Sequence, residues 1–196
     1  MSIRWKKIVA EFARDVIAPE NMTRGSAPFL TEDIGPGEFI QALENAGRLL
    51  DAAKVLAYAL PRREAVWWGC MSTREMEGVL SDKPQQVALA AAEKWVFEPT
   101  DEHRTSAFLA VQKCKSNSGG SLCALAAAFS GESLPLGDNQ KLDVDISTFP
   151  ELVFAAVFLA ADEGKDDLLN ERLRDYLAIG QDIACGGSGK KEAPAE

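Results

Sequence analysis

Two amphipathic segments meet at a proline in the stretch Ala59-Leu60-Pro61-Arg62-Arg63-Glu64-Ala65-Val66-Trp67-Trp68. Proline ends a helix because it lacks an N–H group, and it begins the next one readily because its φ angle is already helical. The residue before proline is pushed towards extended backbone. We therefore expect a sharp corner at Pro61 between two packed helices, one over residues 48–60 and one over residues 61–79.

Helical periodicity continues on both sides of this corner. Apolar residues recur at intervals of three and four, which places them on one face of a helix. Before the corner, the pattern predicts helices over residues 3–18 and 36–47, joined by a connector over residues 21–35. After the corner, it predicts irregular chain over residues 130–149 and helices over residues 84–96, 100–115, 122–129, 152–161 and 165–184.

Alanines cluster at residues 52–59, 88–92, 124–128 and 155–161. Small side chains let helix axes approach to about 8 Å. The sequence therefore predicts an all-α fold, an irregular multi-helix bundle of antiparallel helical hairpins with about nine helices. The expected organisation is a single helical domain over residues 1–185, followed by a mobile tail over residues 186–196 that has nothing to bury.

The charge of the chain excludes some classes of partner. The 196 residues include 21 Lys+Arg and 30 Asp+Glu, which gives a formal net charge of −9. Because sequence-independent binding to nucleic acid needs a basic surface, we expect no nucleic-acid partner. The acidity is concentrated at the C-terminal end, since residues 132–196 hold 14 acidic and six basic residues.

Compartment follows from what the sequence lacks. No apolar run approaches the roughly 20 residues that a membrane-spanning helix needs, so we expect no membrane insertion. The N-terminal residues do not form the pattern of a secretory leader. The four cysteines lack metal-ligand spacing and are typical of small core residues in a reducing compartment. These observations predict cytoplasmic residence.

Residues suited to catalysis are sparse. The single histidine, His103, stands in the first turn of a predicted helix and is expected to be a solvated surface residue. The segment Gly186-Gly187-Ser188-Gly189-Lys190 lacks both the Ser or Thr and the following helix of a phosphate-binding loop. The acidic residues over 138–145 do not match a calcium-binding loop. We expect no catalytic residue, no metal and no cofactor.

The helix after the corner carries two arginines in its first turn, where the helix dipole is already positive and each cation costs about 0.3–1 kcal/mol. Two interpretations account for them. In the first, Arg62 or Arg63 pairs with Asp51 or Glu44 of an adjacent helix, while Arg63 or Glu64 lies along the indole four residues on. In the second, the arginine pair receives an anionic group of a protein partner.

The two adjacent tryptophans cannot both face one core, because neighbouring helix positions differ by about 100° in direction. One of them is expected to face a second helix layer or a partner, and tryptophan is favoured at interface hot spots. The predicted partner-binding residues are therefore Arg62, Arg63, Glu64, Trp67 and Trp68.

These residues belong to a longer set of motifs that spans most of the chain. The set comprises Gly37-Glu38-Phe39-Ile40-Gln41-Ala42-Leu43, Asp51-Ala52, Ala59-Leu60-Pro61-Arg62-Arg63-Glu64-Ala65-Val66-Trp67-Trp68-Gly69-Cys70, Ala92-Glu93-Lys94-Trp95-Val96 and Ala178-Ile179-Gly180-Gln181-Asp182-Ile183-Ala184. With them the chain resembles a family of small all-helical bacterial proteins of uncharacterised function. The resemblance implies encoding near type VI secretion components, and it implies no catalytic residues.

The sequence leads us to expect a non-enzymatic protein-interaction module, an accessory or adaptor-like protein of bacterial type VI secretion with a protein partner. Two alternatives stay open. One is an immunity-type inhibitor whose negative charge complements a basic toxin. The other is an enzyme or toxin with a carboxylate site in the acidic C-terminal third.

Overall fold

The computed structural model describes residues 5–76, 78–79, 81–114, 118–137, 140–162 and 168–190. Within these residues the chain forms eight α-helices and one two-stranded hairpin. The helices are α1 (Pro36–Asn45), α2 (Leu49–Ala59), α3 (Arg62–Arg74), α4 (Lys83–Phe97), α5 (Asp101–Val111), α6 (Gly119–Ala128), α7 (Thr148–Asp162) and α8 (Leu169–Cys185). The strands are β1 (Ser133–Gly137) and β2 (Gln140–Asp143), which pair antiparallel. The predicted all-α class is confirmed.

The N-terminal segment differs from its prediction. In place of a helix over residues 3–18, the described chain before Pro36 holds three 3-10 turns, Ala13–Asp15, Pro19–Asn21 and Ala27–Phe29. Its backbone bonds to distant groups instead, with the amide of Lys7 donating to Ala184 O at 2.8 Å. Ala13 and Ile17 are buried, but Val9 of the supposed helical stripe is 91% exposed. Long-range hydrogen bonds have overridden local helical periodicity.

A buried carboxylate fixes this segment to the bundle. Asp51 of α2 is 6% exposed and accepts hydrogen bonds from the Thr23 amide at 3.3 Å, the Thr23 hydroxyl at 2.5 Å and the Ser26 hydroxyl. The guanidinium of Arg48 lies so close to Gly25 that a side chain there would collide with it. The connector predicted over residues 21–35 is thus anchored by polar contacts.

The proline corner is confirmed. Leu60 is extended, with ψ 141°, and Pro61 is the residue before α3. The Leu60 amide closes α2 on Leu56 O at 3.0 Å, and the Pro61 carbonyl accepts the amide of Ala65 at 2.9 Å. The helix ends at Arg74 rather than near residue 79.

Other helix boundaries also follow the sequence. Pro36 occupies the first turn of α1, and Gly47, at φ +72°, follows the helix. The predicted cap of α5 is confirmed, because the Thr100 hydroxyl accepts the amide of His103 at 3.2 Å. Predicted helix residues 115 and 165–167 lie outside the described residues.

The core surrounds α7, which packs against α2, α3, α6 and α8. The alanine clusters of α2, α6 and α7 contribute to these interfaces and that of α4 packs elsewhere in the bundle; Ala52, Ala92, Ala126 and Ala156 are fully buried. The backbones of α4 and α6 approach closely, because a Cβ on Gly120 would be 2.5 Å from the carbonyl oxygen of Gln85. Small residues therefore set the spacing of the bundle, as the sequence predicts.

The prediction of irregular chain over residues 130–149 is wrong for the hairpin. Ser133 pairs with Asp143 and Leu134 with Leu142. Leu134 is fully buried while the side chains of β2 are exposed. In strands this short, with Leu134 as the buried apolar residue, apolar and polar residues do not alternate over enough positions to predict a sheet.

No helix among the described residues has both the length and the hydropathy needed to cross a membrane.

Candidate functional site

One face of α3 is uncovered by other helices and forms the floor of a groove. Arg63, Trp67, Met71 and Arg74 follow the spacing i, i+4, i+8, i+11, so they share this face. At a rise of about 1.5 Å per residue they span about 16 Å. One wall is the C-terminal half of α4, and the other is α8 with the segment 186–190 that follows it. We call this surface the α3 groove.

The opposite face of α3 is core. The Trp68 side chain is fully buried, and its indole N–H donates to the carbonyl oxygen of Tyr176 in α8 at 2.7 Å. Gly180 lies against the indole, because a Cβ at that position would be 2.9 Å from Trp68 Nε1. The structure therefore separates the two tryptophans and leaves Trp68 out of the groove.

Trp67 lies at the centre of the groove and is half-buried. Its indole N–H donates to the carbonyl oxygen of Ser188 at 2.8 Å. The ring of Phe97, from the end of α4, meets it edge-on with centroids 5.7 Å apart. Phe97 is 71% exposed, so an aromatic pair is presented to solvent.

Trp67 separates two cavities. The first has a volume of about 330 Å³, and its lining includes Lys7, Arg63, Glu64, Phe97 and Lys190. Three cations and one carboxylate therefore surround an aromatic surface. Lys7 pairs with Glu64 at 3.1 Å. Arg63 is exposed and makes no ion pair with any described residue, so its charge is available to a ligand.

The second cavity, of about 530 Å³, lies towards the C-terminal end of α3. Its lining includes Met71, Arg74, Glu75, Glu93 and Ile179. Arg74 binds Glu93 through two parallel hydrogen bonds of 2.5 Å, and this pairing raises the pKa of Arg74. This end of the groove has an apolar floor, and Glu93 compensates the charge of Arg74, whereas Glu75 is exposed to solvent.

The segment after α8 completes the groove. Gly186, at φ +98°, follows the helix, and the amides of Gly186 and Gly187 donate to the carbonyls of Ile183 and Asp182. This is the Schellman arrangement that reverses a chain after a helix. The Gly189 amide donates to the Asp182 carboxylate at 2.8 Å. Residues 186–190 of the predicted tail thus pack against α8. Residues 191–196 lie outside the described residues, so the mobility of the tail stays a prediction.

Arg62 points away from the groove and has a structural partner. Its Nη1 donates to the carbonyl oxygen of Ser130 at 2.5 Å, just beyond the C-terminus of α6. Arg104 donates to Ala128 O at the same helix end, at 3.0 Å. Two cations therefore meet the negative end of the α6 dipole, which offsets the cost of placing Arg62 in the first turn of α3.

The predicted pairing of Arg62 or Arg63 with Asp51 or Glu44 is wrong. Asp51 is committed to Thr23 and Ser26, as described above. The Glu44 carboxylate accepts a hydrogen bond from the Gln181 amide at 2.6 Å. Burial raises the pKa of Glu44, and the hydrogen bond opposes that rise.

The prediction for His103 is also wrong. Its side chain is buried, and Nδ1 lies 2.7 Å from the carbonyl oxygen of Glu98. The capping of α5 turns this ring inward beneath the preceding loop. Among the described residues, no group of three or more His, Cys, Asp or Glu side chains is placed to hold a metal ion.

Comparison with protein families gives a match over most of the chain. Neither the curated proteins nor the solved structures yield a match to this chain. A model of a family of unknown function matches residues 39–184, which include every α-helix except the first turn of α1 and the last residue of α8. The α3 groove has its floor inside this match, whereas the segment 186–190 lies outside it. The chain therefore belongs to the family of unknown function DUF6931.

Proposed function

We propose that this protein is a non-enzymatic protein-interaction module that binds a partner protein along the α3 groove. The observation that carries the proposal is the solvent-facing pair of Trp67 and Phe97 next to Arg63, which forms no ion pair with the residues that the structure describes. Tryptophan and arginine are enriched at interface hot spots, because each combines a large contact area with directional donors. An aromatic surface left open beside an available cation is typical of the centre of a protein interface.

We further propose that the protein serves type VI secretion as an accessory or adaptor-like component. This part rests on the resemblance of the motif blocks, of which the block around Pro61 is the most specific. That block contributes Arg63, Glu64 and Trp67 to the groove, so the same residues support both parts of the proposal.

The geometry favours binding over the alternative of a carboxylate enzyme. Neither of the two cavities of the α3 groove is lined by a carboxylate from the described part of residues 132–190. It also favours an adaptor over an inhibitor of a basic toxin, because the first cavity carries more positive than negative side chains. A basic partner would meet repulsion at Arg63.

Affinity capture with matched variants tests the proposal. The tagged protein is expressed in its native organism, and bound proteins are identified by mass spectrometry. Phe97→Ser and Arg63→Glu change exposed groove residues. The controls Leu109→Ser and Lys113→Glu likewise replace one apolar and one basic side chain, on the exposed surface at the end of α5. We expect a partner that the unaltered protein and both controls capture and both groove variants lose.

The outcome would contradict the proposal if the groove variants captured the same proteins in the same amounts as the controls. Recovery of a type VI secretion component supports the second part, and recovery of an unrelated partner through the groove overturns that part alone.

A further inference from the structure

We propose that the occupant of the α3 groove is an extended acidic segment of the partner, with a carboxylate at the Arg63 end and an apolar side chain at the Met71 end. This inference rests on the proposed function and specifies the chemistry of the partner. It follows from three features of the groove: its length, its charge and the distribution of that charge.

The length fits a short extended peptide. The floor from Arg63 to Arg74 spans about 16 Å, and an extended strand rises about 3.3 Å per residue. About five residues of an extended chain therefore fill the groove. Alternate side chains of such a segment point to the same side, so two of them reach the two cavities on either side of Trp67.

The charge fits an acidic segment. The protein has a formal net charge of −9, yet the first cavity is lined by Lys7, Arg63 and Lys190 against Glu64 alone. Within the described residues, Lys7 is paired with Glu64, whereas Arg63 and Lys190 have no ion-pair partner. Two unpaired cations next to an aromatic surface favour a carboxylate ligand, because guanidinium and carboxylate match in geometry.

The charge is distributed unevenly along the groove. Lys190 lines both cavities, but at the other end Arg74 is bound to Glu93 and the exposed Glu75 adds a negative charge. The excess of positive charge therefore lies at the Arg63 end. Met71 and Ile179 supply apolar surface there. The acidic residue of the ligand is therefore expected over Arg63, and an aliphatic or aromatic residue over Met71, which adapts readily to different shapes.

A nucleic acid is the other anionic polymer that cations and aromatic rings receive. The net charge of the protein opposes it, because the phosphate backbone would meet a negative surface beyond the groove. A single-stranded oligothymidylate labelled with fluorescein therefore serves as a competing probe in the test.

Panning of a random peptide library displayed on phage, with the immobilised full chain as target, tests the inference. We expect enriched peptides that combine Asp or Glu with an apolar residue a few positions away. The most enriched peptide, labelled with fluorescein, is then titrated by fluorescence anisotropy. Arg63→Glu should weaken its binding about tenfold and added salt should weaken it further, whereas Lys113→Glu, with the same change in net charge, should leave it unchanged.

Three results would overturn the inference: enrichment of neutral or basic peptides, no enrichment at all, or oligothymidylate binding as tightly as the peptide. The proposed function stands after any of these results if native capture still depends on Phe97 and Arg63. The groove would then bind a partner segment that is not acidic. Loss of the capture result alone overturns the proposed function.

Discussion

Substitution of the two adjacent tryptophans tests whether one face of α3 stabilises the fold while the other face binds the partner. Trp68→Phe removes a fully buried indole N–H and three heavy atoms from the core between α3 and α8. The lost hydrogen bond costs about 1 kcal/mol. The missing atoms cost about 2 kcal/mol, at about 0.8 kcal/mol for each buried methylene-sized group. We therefore expect the free energy of unfolding to fall by about 3 kcal/mol.

Trp67→Phe makes the same chemical change one residue earlier. Its indole N–H donates to Ser188 O at an exposed site, where water replaces the lost donor. The free energy of unfolding is expected to fall by less than about 1 kcal/mol. Binding of the groove ligand should show the reverse order, with Trp67→Phe the more harmful of the two substitutions.

Urea unfolding followed by far-ultraviolet circular dichroism measures both variants, because the helical backbone dominates this signal. Equal losses of stability in the two variants would refute this division of the helix. So would a loss below about 1 kcal/mol for Trp68→Phe, since the hydrogen bond alone accounts for that much.

Three further predictions concern groups outside the groove. Asp51→Ala leaves the donors of Thr23 and Ser26 without their acceptor, so we expect a loss of about 2–3 kcal/mol and faster tryptic cleavage after Arg24; an unchanged cleavage rate would show that Asp51 does not hold the segment. Arg104→Lys keeps the charge but cannot reach Ala128 O and Asp101 together, so urea unfolding should show a loss of about 1–2 kcal/mol, whereas the exposed control Lys113→Arg should show none. Burial raises the pKa of Glu44, so the folded state binds the proton more tightly than the unfolded state, and stability is lost as pH rises through the raised pKa. The melting temperature of the Glu44→Gln variant minus that of the unaltered protein should therefore be larger at about pH 7 than at about pH 4. A difference that does not change with pH would contradict this prediction.

The bundle could be predicted from the sequence because its local signals agree with its packing. Three helix starts do not depend on distant residues and are marked by Pro36, Pro61 and Thr100. The alanine clusters predict close contacts between helices. The N-terminal segment could not be predicted. Its residues 5–17 have helical periodicity, but backbone amides of this segment donate hydrogen bonds to residues that are distant in sequence. The amide of Lys7, for example, bonds to a carbonyl of the last helix, which local sequence does not reveal.

The candidate site could be predicted in part. Because neighbouring helix positions differ by about 100° in direction, the sequence predicts that Trp67 and Trp68 face different ways. Only tertiary structure decides which of them faces the core. The separation of Arg62 from Arg63 has the same cause, because Ser130 O becomes a partner of Arg62 only when α6 ends beside α3. Phe97 was missed. Its position just after the helix predicted over residues 84–96, two residues before Pro99, is a signal that its side chain can lie outside the core.

The contact between the Lys7 amide and Ala184 O joins two points separated by nearly the whole chain. A growing polypeptide leaves the ribosome from its N-terminus, so this bond has to wait until α8 has emerged. The helical hairpins, built from neighbours in sequence, can form earlier at little cost in loop entropy. The segment before α1, although it is synthesised before the helices, is therefore among the last to dock. Since Lys7 also lines the first cavity, the groove is complete only when α8 has folded.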